Sequence, residues 1–300
     1  MKTDRGVARG LPGIFSGRNS VIALIALTLL AIRPVWAGDT EKQIKLDYLE
    51  KVLTLRHFYS GEHLTFHPDG TLQGDAPVGP WTVDGQLEVE DVHLRGVRLV
   101  IKGRRIHRIF DAQHNLQDQF RTVENSRDKK NKELEKDLRR LKVEIEIELP
   151  SEKPDEKDVT SAMHAVFLTS SESMMDIVPS YWRGYFAKQE GKPLSSFDPK
   201  KEHVSYPKVG NGVSPPHVML QPDPEYSDEA RKARYQGTVL VSMVIDASGA
   251  PTDMQIARPL GMGLDEKAIA AISTWKFDPA LKNGEPVAVA IMVEVSFRLY

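Results

Sequence analysis

Large apolar residues alternate along the last stretch of the chain: Val287, Val289, Ile291, Val293, Val295, Phe297 and Leu299. Between them stand Ala288, Ala290, Met292, Glu294, Ser296, Arg298 and Tyr300. A period of two held this long specifies a β-strand with one face buried and the other partly wet. Such a strand has to pair with strands earlier in the chain. The open question is whether one of its edges is left for something else.

The segment before it is clearly punctuated. "YSDEARKARYQG" predicts a short helix capped by Ser227, with Asp228 and Glu229 in the first turn, Arg231, Lys232 and Arg234 further on, and Gly237 as its stop. "TVLVSMVID-ASG-APTDMQIA" predicts a hairpin. "LDEKAIAAISTW" places Leu264, Ala268, Ile272 and Trp275 on one helical face, and Asn283-Gly284 marks a turn before the final strand. The expected order is α-β-β-α-β.

Further upstream, short alternating runs at 60–111 predict a small antiparallel β unit. Asp69-Gly70 and Asp84-Gly85 are its expected hairpin turns. Leu87, Val89, Leu94, Leu99, Ile101, Ile106 and Ile109 are its expected core. "SRDKKNKELEKDLRRLK" predicts a solvated helix resting Leu134, Leu138 and Leu141 on that unit, and "KVEIEIEL" one more strand. Residues 151–190 predict one or two helices broken near Pro179. Residues 191–222 hold Pro193, Pro199, Pro207, Pro215, Pro216 and Pro222 and predict a linker, with an extended reach on the order of 100 Å at most.

The N-terminus carries Lys2, Arg5, Arg9 and Arg18, then the apolar run Val21–Ile32 and a small-residue ending at Ala37. This is signal-peptide anatomy. The apolar run is short against the roughly 20 residues of a membrane span. Residues 1–37 are expected either to be cleaved or to stay as a short anchor, and the remainder to be exported to the periplasm.

Composition excludes several classes of function. A formal net charge of -2 offers no field for nucleic acid. The absence of cysteine removes disulfides, thiolate chemistry and Cys-ligated zinc. His63 and His67 have a helical metal spacing but sit in a strand-and-turn context, so no metal site is expected. "KGRRIHR" at 102–108 reads as the solvated face of a strand, and Trp182 and Tyr185 as a buried helix end. No Walker loop, GxGxxG, HExxH or nucleophile elbow appears, so no catalytic residues, cofactor or enzyme activity are expected.

From Pro224 onward the chain resembles the C-terminal domain of TonB-type energy transducers. The resemblance rests on Pro224…Tyr226, Ala230, Gly237-x-Val239, Ile245-Asp246…Gly249, Leu264-Asp265…Ala268, Trp275-Lys276-Phe277…Pro279-Ala280 and Gly284…Pro286-Val287. It implies an α+β fold, with a three-stranded antiparallel sheet and helices on one face of it, over 223–300. A β-rich domain of unknown type would precede it at 38–150. The resemblance further implies that the final strand is a sheet edge that receives the TonB-box peptide of an outer-membrane receptor by strand addition. The edge would be Val287, Val289, Ile291, Val293, Val295 and Phe297, flanked by Gln221, Pro222, Pro224 and Tyr226.

Family transducers also engage an ExbB/ExbD-type inner-membrane motor through a membrane helix bearing a histidine. Here 21–32 has no histidine, and Thr28 is its one polar residue. The alternative reading is an envelope adaptor, or a homodimer closed through its last strand, with no motor coupling.

Overall fold

The computed structural model describes residues 37–119, 141–192 and 206–299. The helix expected over 126–142 falls outside them except for Leu141 and Lys142, the latter opening a strand, and the apolar run at 21–32 falls outside them as well. Among the described residues no helix is long and apolar enough to cross a membrane.

The first half opens with α1 (Ala37–Tyr48), β1 (Val52–Thr54), β2 (His63–Phe66) and α2 (Trp81–Asp84). It continues with β3 (Gln86–Arg95), β4 (Arg98–Arg105), a small ribbon of β5 (Arg108–Phe110) and β6 (Leu116–Asp118), and β7 (Lys142–Glu148). Five of these strands form one sheet in the order β1-β3-β4-β7-β2. The expected antiparallel unit is thus corrected to a mixed sheet, because β2 pairs with β7 in parallel. The Asp69-Gly70 turn folds the chain back so that Leu72 bridges Phe66 on the far side of β2. The near side of β2 then finds β7.

Alternation decides which face is inside. Val143, Ile145 and Ile147 are buried with Leu87, Val89, Leu99 and Ile101, under Val159, Met163 and Val166 of α3 (Glu156–Val166). The intervening glutamates lie on the wet face. There Arg98 meets Glu146 at 2.8 Å, Lys102 meets Glu144 at 3.4 Å and Arg104 meets Glu88 at 2.9 Å. Leu94 is partly exposed, and Ile109 packs with the second core rather than this one.

Asp84-Gly85 is not a hairpin turn. Gly85 has φ -77 and ends α2, which buries Trp81 and Val83. A β-carbon on Gly85 would collide with the Trp81 carbonyl, so glycine is needed for close approach and not for a positive φ. The charge cluster at 102–108 is also corrected: Arg105, Ile106 and His107 are buried. Arg105 donates to the carbonyls of Asp84 (2.6 Å), Tyr59 (2.7 Å) and Gly61 (3.1 Å), and its guanidinium lies 3.5 Å from the Asp84 carboxylate. Three carbonyl acceptors and the facing carboxylate are what let a cation be tolerated inside.

His107 is enclosed beside Arg105. Burial, and then the nearby charges of Arg105 and Lys232, depress its pKa to about 4. The native state therefore refuses a proton that the unfolded chain accepts below the ordinary histidine range. Stability is complete above that range and is lost as pH falls toward 4. Between pH 7 and pH 5 this one residue is expected to cost about 2 kcal/mol. The check is the difference in urea midpoints at the two pH values, which His107→Gln should reduce.

Candidate functional site

The second half begins after α3 with a short 3-10 turn (Met174–Asp176) and α4 (Ser180–Gln189). Then come β8 (His217–Leu220), α5 (Asp228–Lys232), β9 (Gly237–Ile245), β10 (Pro251–Arg258) and α6 (Leu264–Ile272). The small strands β11 (Lys276–Asp278), β12 (Ala280–Lys282) and β13 (Glu285–Val287) lead to β14 (Val289–Phe297). The order expected from the pattern is present: α5-β9-β10-α6-β14, forming a three-stranded antiparallel sheet in the order β10-β9-β14.

Local chemistry explains the connections. Ser227 caps α5 by accepting from the Ala230 N–H, and its own hydroxyl donates to the Met262 carbonyl at 2.6 Å. The helix stops earlier than Gly237 predicts. Arg234 takes the left-handed turn at φ 50, and Gly237 already opens β9. Asn283 and Gly284, both with positive φ, close the β12–β13 hairpin as their sequence requires.

The two edges of the three-stranded sheet differ. β10 is interrupted by register shifts between Thr252 and Gln255 and between Ile256 and Arg258. It is also packed against α4, whose Gly184 N–H donates to the Gln255 side chain at 3.1 Å. Bulges and a covering helix are the devices by which a sheet blunts an edge. β14 has neither. It runs in unbroken register against β9 from Val289↔Ile245 to Phe297↔Gly237, and no strand among the described residues pairs with its other side. Its far row of N–H and C=O groups is therefore available to an extended chain.

The side chains on β14 alternate as expected. Val289, Val295 and Phe297 are buried, while Ile291 and Val293 are only partly covered by the core. On the other face Met292 is 68% exposed. Glu294 is tied across the sheet to Arg258 at 3.1 Å. The middle of the edge thus offers incompletely buried apolar surface on the core side and an exposed methionine on the open side.

Val287 is corrected. It belongs to β13, opposite Ala280, and Ala288 separates it from β14. Among the flanking residues, Tyr226 sets its ring edge-on to Phe297, with centroids 5.5 Å apart, and so sits at the C-terminal end of β14. The Pro222 carbonyl accepts from the Trp275 indole at 3.1 Å. Gln221 is exposed and Pro224 half-buried.

β8 was not legible in the sequence. It lies within the expected linker and pairs with β11, with all of its residues exposed. The available signal was the apolar run Val218-Met219-Leu220 between prolines. Upstream of it, Val213 is buried and bridges Lys282, and Ser214 exchanges hydrogen bonds with Leu281. The stretch from 213 onward is thus laid on the C-terminal unit rather than free of it. His63 opens β2 and His67 directly follows its end, so the two are in no helix, and no cluster of three or more His, Asp or Glu side chains suited to a metal occurs among the described residues.

Residues 222–299 match the family model described as the Gram-negative bacterial TonB protein C-terminal. The chain is 37% identical over 86 residues to Protein TonB of Vibrio cholerae serotype O1, covering 28% of this chain and 35% of that protein. It is 33% identical over 82 residues to Protein tonB2 of Pseudomonas aeruginosa, covering 27% of this chain and 30% of that protein. A solution NMR structure of the Pseudomonas aeruginosa TonB CTD aligns at 22% identity over 30% of this chain and 89% of that one, with a TM-score of 0.24. The match spans about a third of the length of these two relatives.

Proposed function

From a chain whose residues 222–299 form a TonB C-terminal domain, we infer a docking protein of the cell envelope that captures an extended peptide by strand addition to β14. The observation that carries this reading is the contrast between the two sheet edges: β10 is bulged and covered, while β14 is regular and open. Main-chain hydrogen bonds to the free side of β14 supply affinity. The half-covered Ile291 and Val293 select apolar side chains on one face of the incoming strand. Met292 receives them on the other.

The partner in this reading is the periplasm-facing TonB-box segment of an outer-membrane receptor, with Tyr226 and the stretch from Gln221 beside its path. The chain reaches the periplasm by its N-terminal signal. If residues 1–37 are retained, the same module serves an ExbB/ExbD-type motor.

The absence of cysteine makes a direct test simple. Met292→Cys on β14 and Ala257→Cys on β10 each create a single thiol at an exposed position. A receptor peptide whose one cysteine, within its apolar stretch, is activated as a 2-thiopyridyl disulfide should form a mixed disulfide with the first, releasing thiopyridone, and not with the second. Equal cross-linking of both, or of neither, sinks the assignment.

A further inference from the structure

Between β10 and α6 the chain makes a short loop through Leu260, Gly261, Met262 and Gly263. Three successive residues of it take left-handed backbone: Gly261 at φ 98, Met262 at φ 50 and Gly263 at φ 74. This is strained at Met262, and such strain persists only where the surroundings over-determine it. Part of the restraint is local. Asp265 accepts the Leu260 N–H at 2.8 Å and the Gly261 N–H at 2.7 Å, and the Ser227 hydroxyl donates to the Met262 carbonyl at 2.6 Å.

Residues far upstream supply the rest. β5 lies along the loop: the Phe110 N–H donates to the Leu260 carbonyl at 3.1 Å, and the Met262 N–H donates to the Arg108 carbonyl at 2.9 Å. Ile109 bridges Gly261 between them. The Gly263 N–H donates to the Thr82 hydroxyl of α2 at 3.0 Å. A β-carbon on Gly261 would collide with the Arg108 carbonyl and come within 2.8 Å of the Ile109 α-carbon, so only glycine admits this approach. Leu260, Met262 and Leu264 are at most 7% exposed, in a buried cluster that they share with Trp81, Phe110 and Trp182. α4 adds a second contact, with Gly184 on Gln255 of β10 and Trp182 on Glu266 of α6.

The loop lies inside the segment 222–299 that matches the TonB C-terminal family, whereas the residues that fill it, at 80–82 and 108–110, lie outside. Take β5 and α2 away, and the Met262 and Gly263 N–H groups lose these acceptors while a buried apolar cluster is laid open. We propose that the upstream module is a fixed base for the C-terminal domain: β5 and α2 plug a socket formed by Leu260–Gly263, and this joint holds the two together without the covalent link at 193–205.

The inference assigns a role to the β-rich module and goes beyond the docking reading; it holds whether or not β14 is the edge. β5 follows closely on β4, and α2 runs into β3, so the socket is tied directly to the upstream sheet. The bearing of the C-terminal sheet is therefore set by that module. A force applied to one half reaches the other through the socket.

The test uses the full chain with a protease recognition sequence inserted between Lys192 and Tyr206. It is cut after purification and run on size-exclusion chromatography over a dilution series. The two pieces should stay in one peak at micromolar concentration, at the elution volume of the uncut chain. With Gly261→Val they should separate at concentrations at least about tenfold higher, because the new side chain both clashes and strains a positive φ. Thr82→Val lies outside the C-terminal domain, keeps the shape of the side chain and removes the acceptor of the Gly263 N–H; it should shift the separation in the same direction. Gly284→Val strains a positive φ in a turn where a β-carbon meets nothing within 4 Å, and it should leave the pieces as tightly joined as before. Separation of the unaltered pieces at micromolar concentration would overturn the proposal. So would pieces of Gly261→Val and Thr82→Val that hold as tightly as the unaltered ones, or a loss in Gly284→Val equal to that in Gly261→Val.

Discussion

Trp182→Ala should lower the stability of the protein by about 3–5 kcal/mol, the range for deleting a fully buried large aromatic side chain. Trp182 contacts Trp81, Phe110, Tyr185 and Phe186 at centroid distances of 5.3, 6.4, 5.8 and 6.2 Å, and it is also the donor to Glu266. Its loss therefore opens a cavity and leaves Glu266 without its hydrogen bond. These contacts belong to one buried cluster that also takes in Phe58 upstream and Val241, Ile256 and Val295 of the three-stranded sheet. The urea transition, expected to be single in the unaltered protein, should accordingly split into two in the variant. Trp182→Phe keeps most of the packing and should lose markedly less. A loss below about 1 kcal/mol for the alanine variant, within the range of ordinary surface changes, would mean that the cluster does not hold the halves together.

Proline in the middle of β14 is the second large effect. Neighbouring residues of an edge strand direct their N–H groups to opposite sides, one into the ladder with β9 and one toward the free edge. Met292→Pro and Val293→Pro therefore divide the two roles between them, and both should abolish binding of a receptor TonB-box peptide. One removes a donor that the incoming strand needs, and it should leave the β9–β14 ladder and the thermal midpoint nearly intact. The other breaks a ladder bond and should lower the midpoint as well. Titration calorimetry paired with thermal unfolding separates them. Undiminished affinity in the variant that stays stable would show that the peptide binds elsewhere.

Much of this was legible from neighbouring residues. The alternation from Val289 to Phe297 specified a strand and its buried face, because side chains two apart in a strand share a side. Ser227 and Asn283-Gly284 marked a cap and a turn, since both depend on residues within three or four positions. The same local reading failed at Asp84-Gly85. The dipeptide has turn chemistry, but Asp84 is held by Arg105 and by the Ser60 hydroxyl at 2.7 Å, and Trp81 is drawn into the core. It failed at 102–108 for a related reason. Whether an arginine is wet or buried depends on which carbonyls the rest of the fold brings to it, and those of Tyr59 and Gly61 are 46 and 44 residues away.

The candidate site divides in the same way. The sequence by itself determined a final strand with its apolar face inward, a helix–hairpin–helix frame to pair it with, and a resemblance that implies a partner for it. Only the tertiary structure decided that Val287 lies outside that strand, that bulges and α4 blunt β10 while β14 stays bare, and that Trp182 of α4 reaches Glu266 of α6 across 84 residues. Periodicity, caps and turns are set by forces between close neighbours in the chain. Edge exposure, buried charge and the joining of cores depend on which distant surfaces come to exclude water from one another, and no local pattern records that.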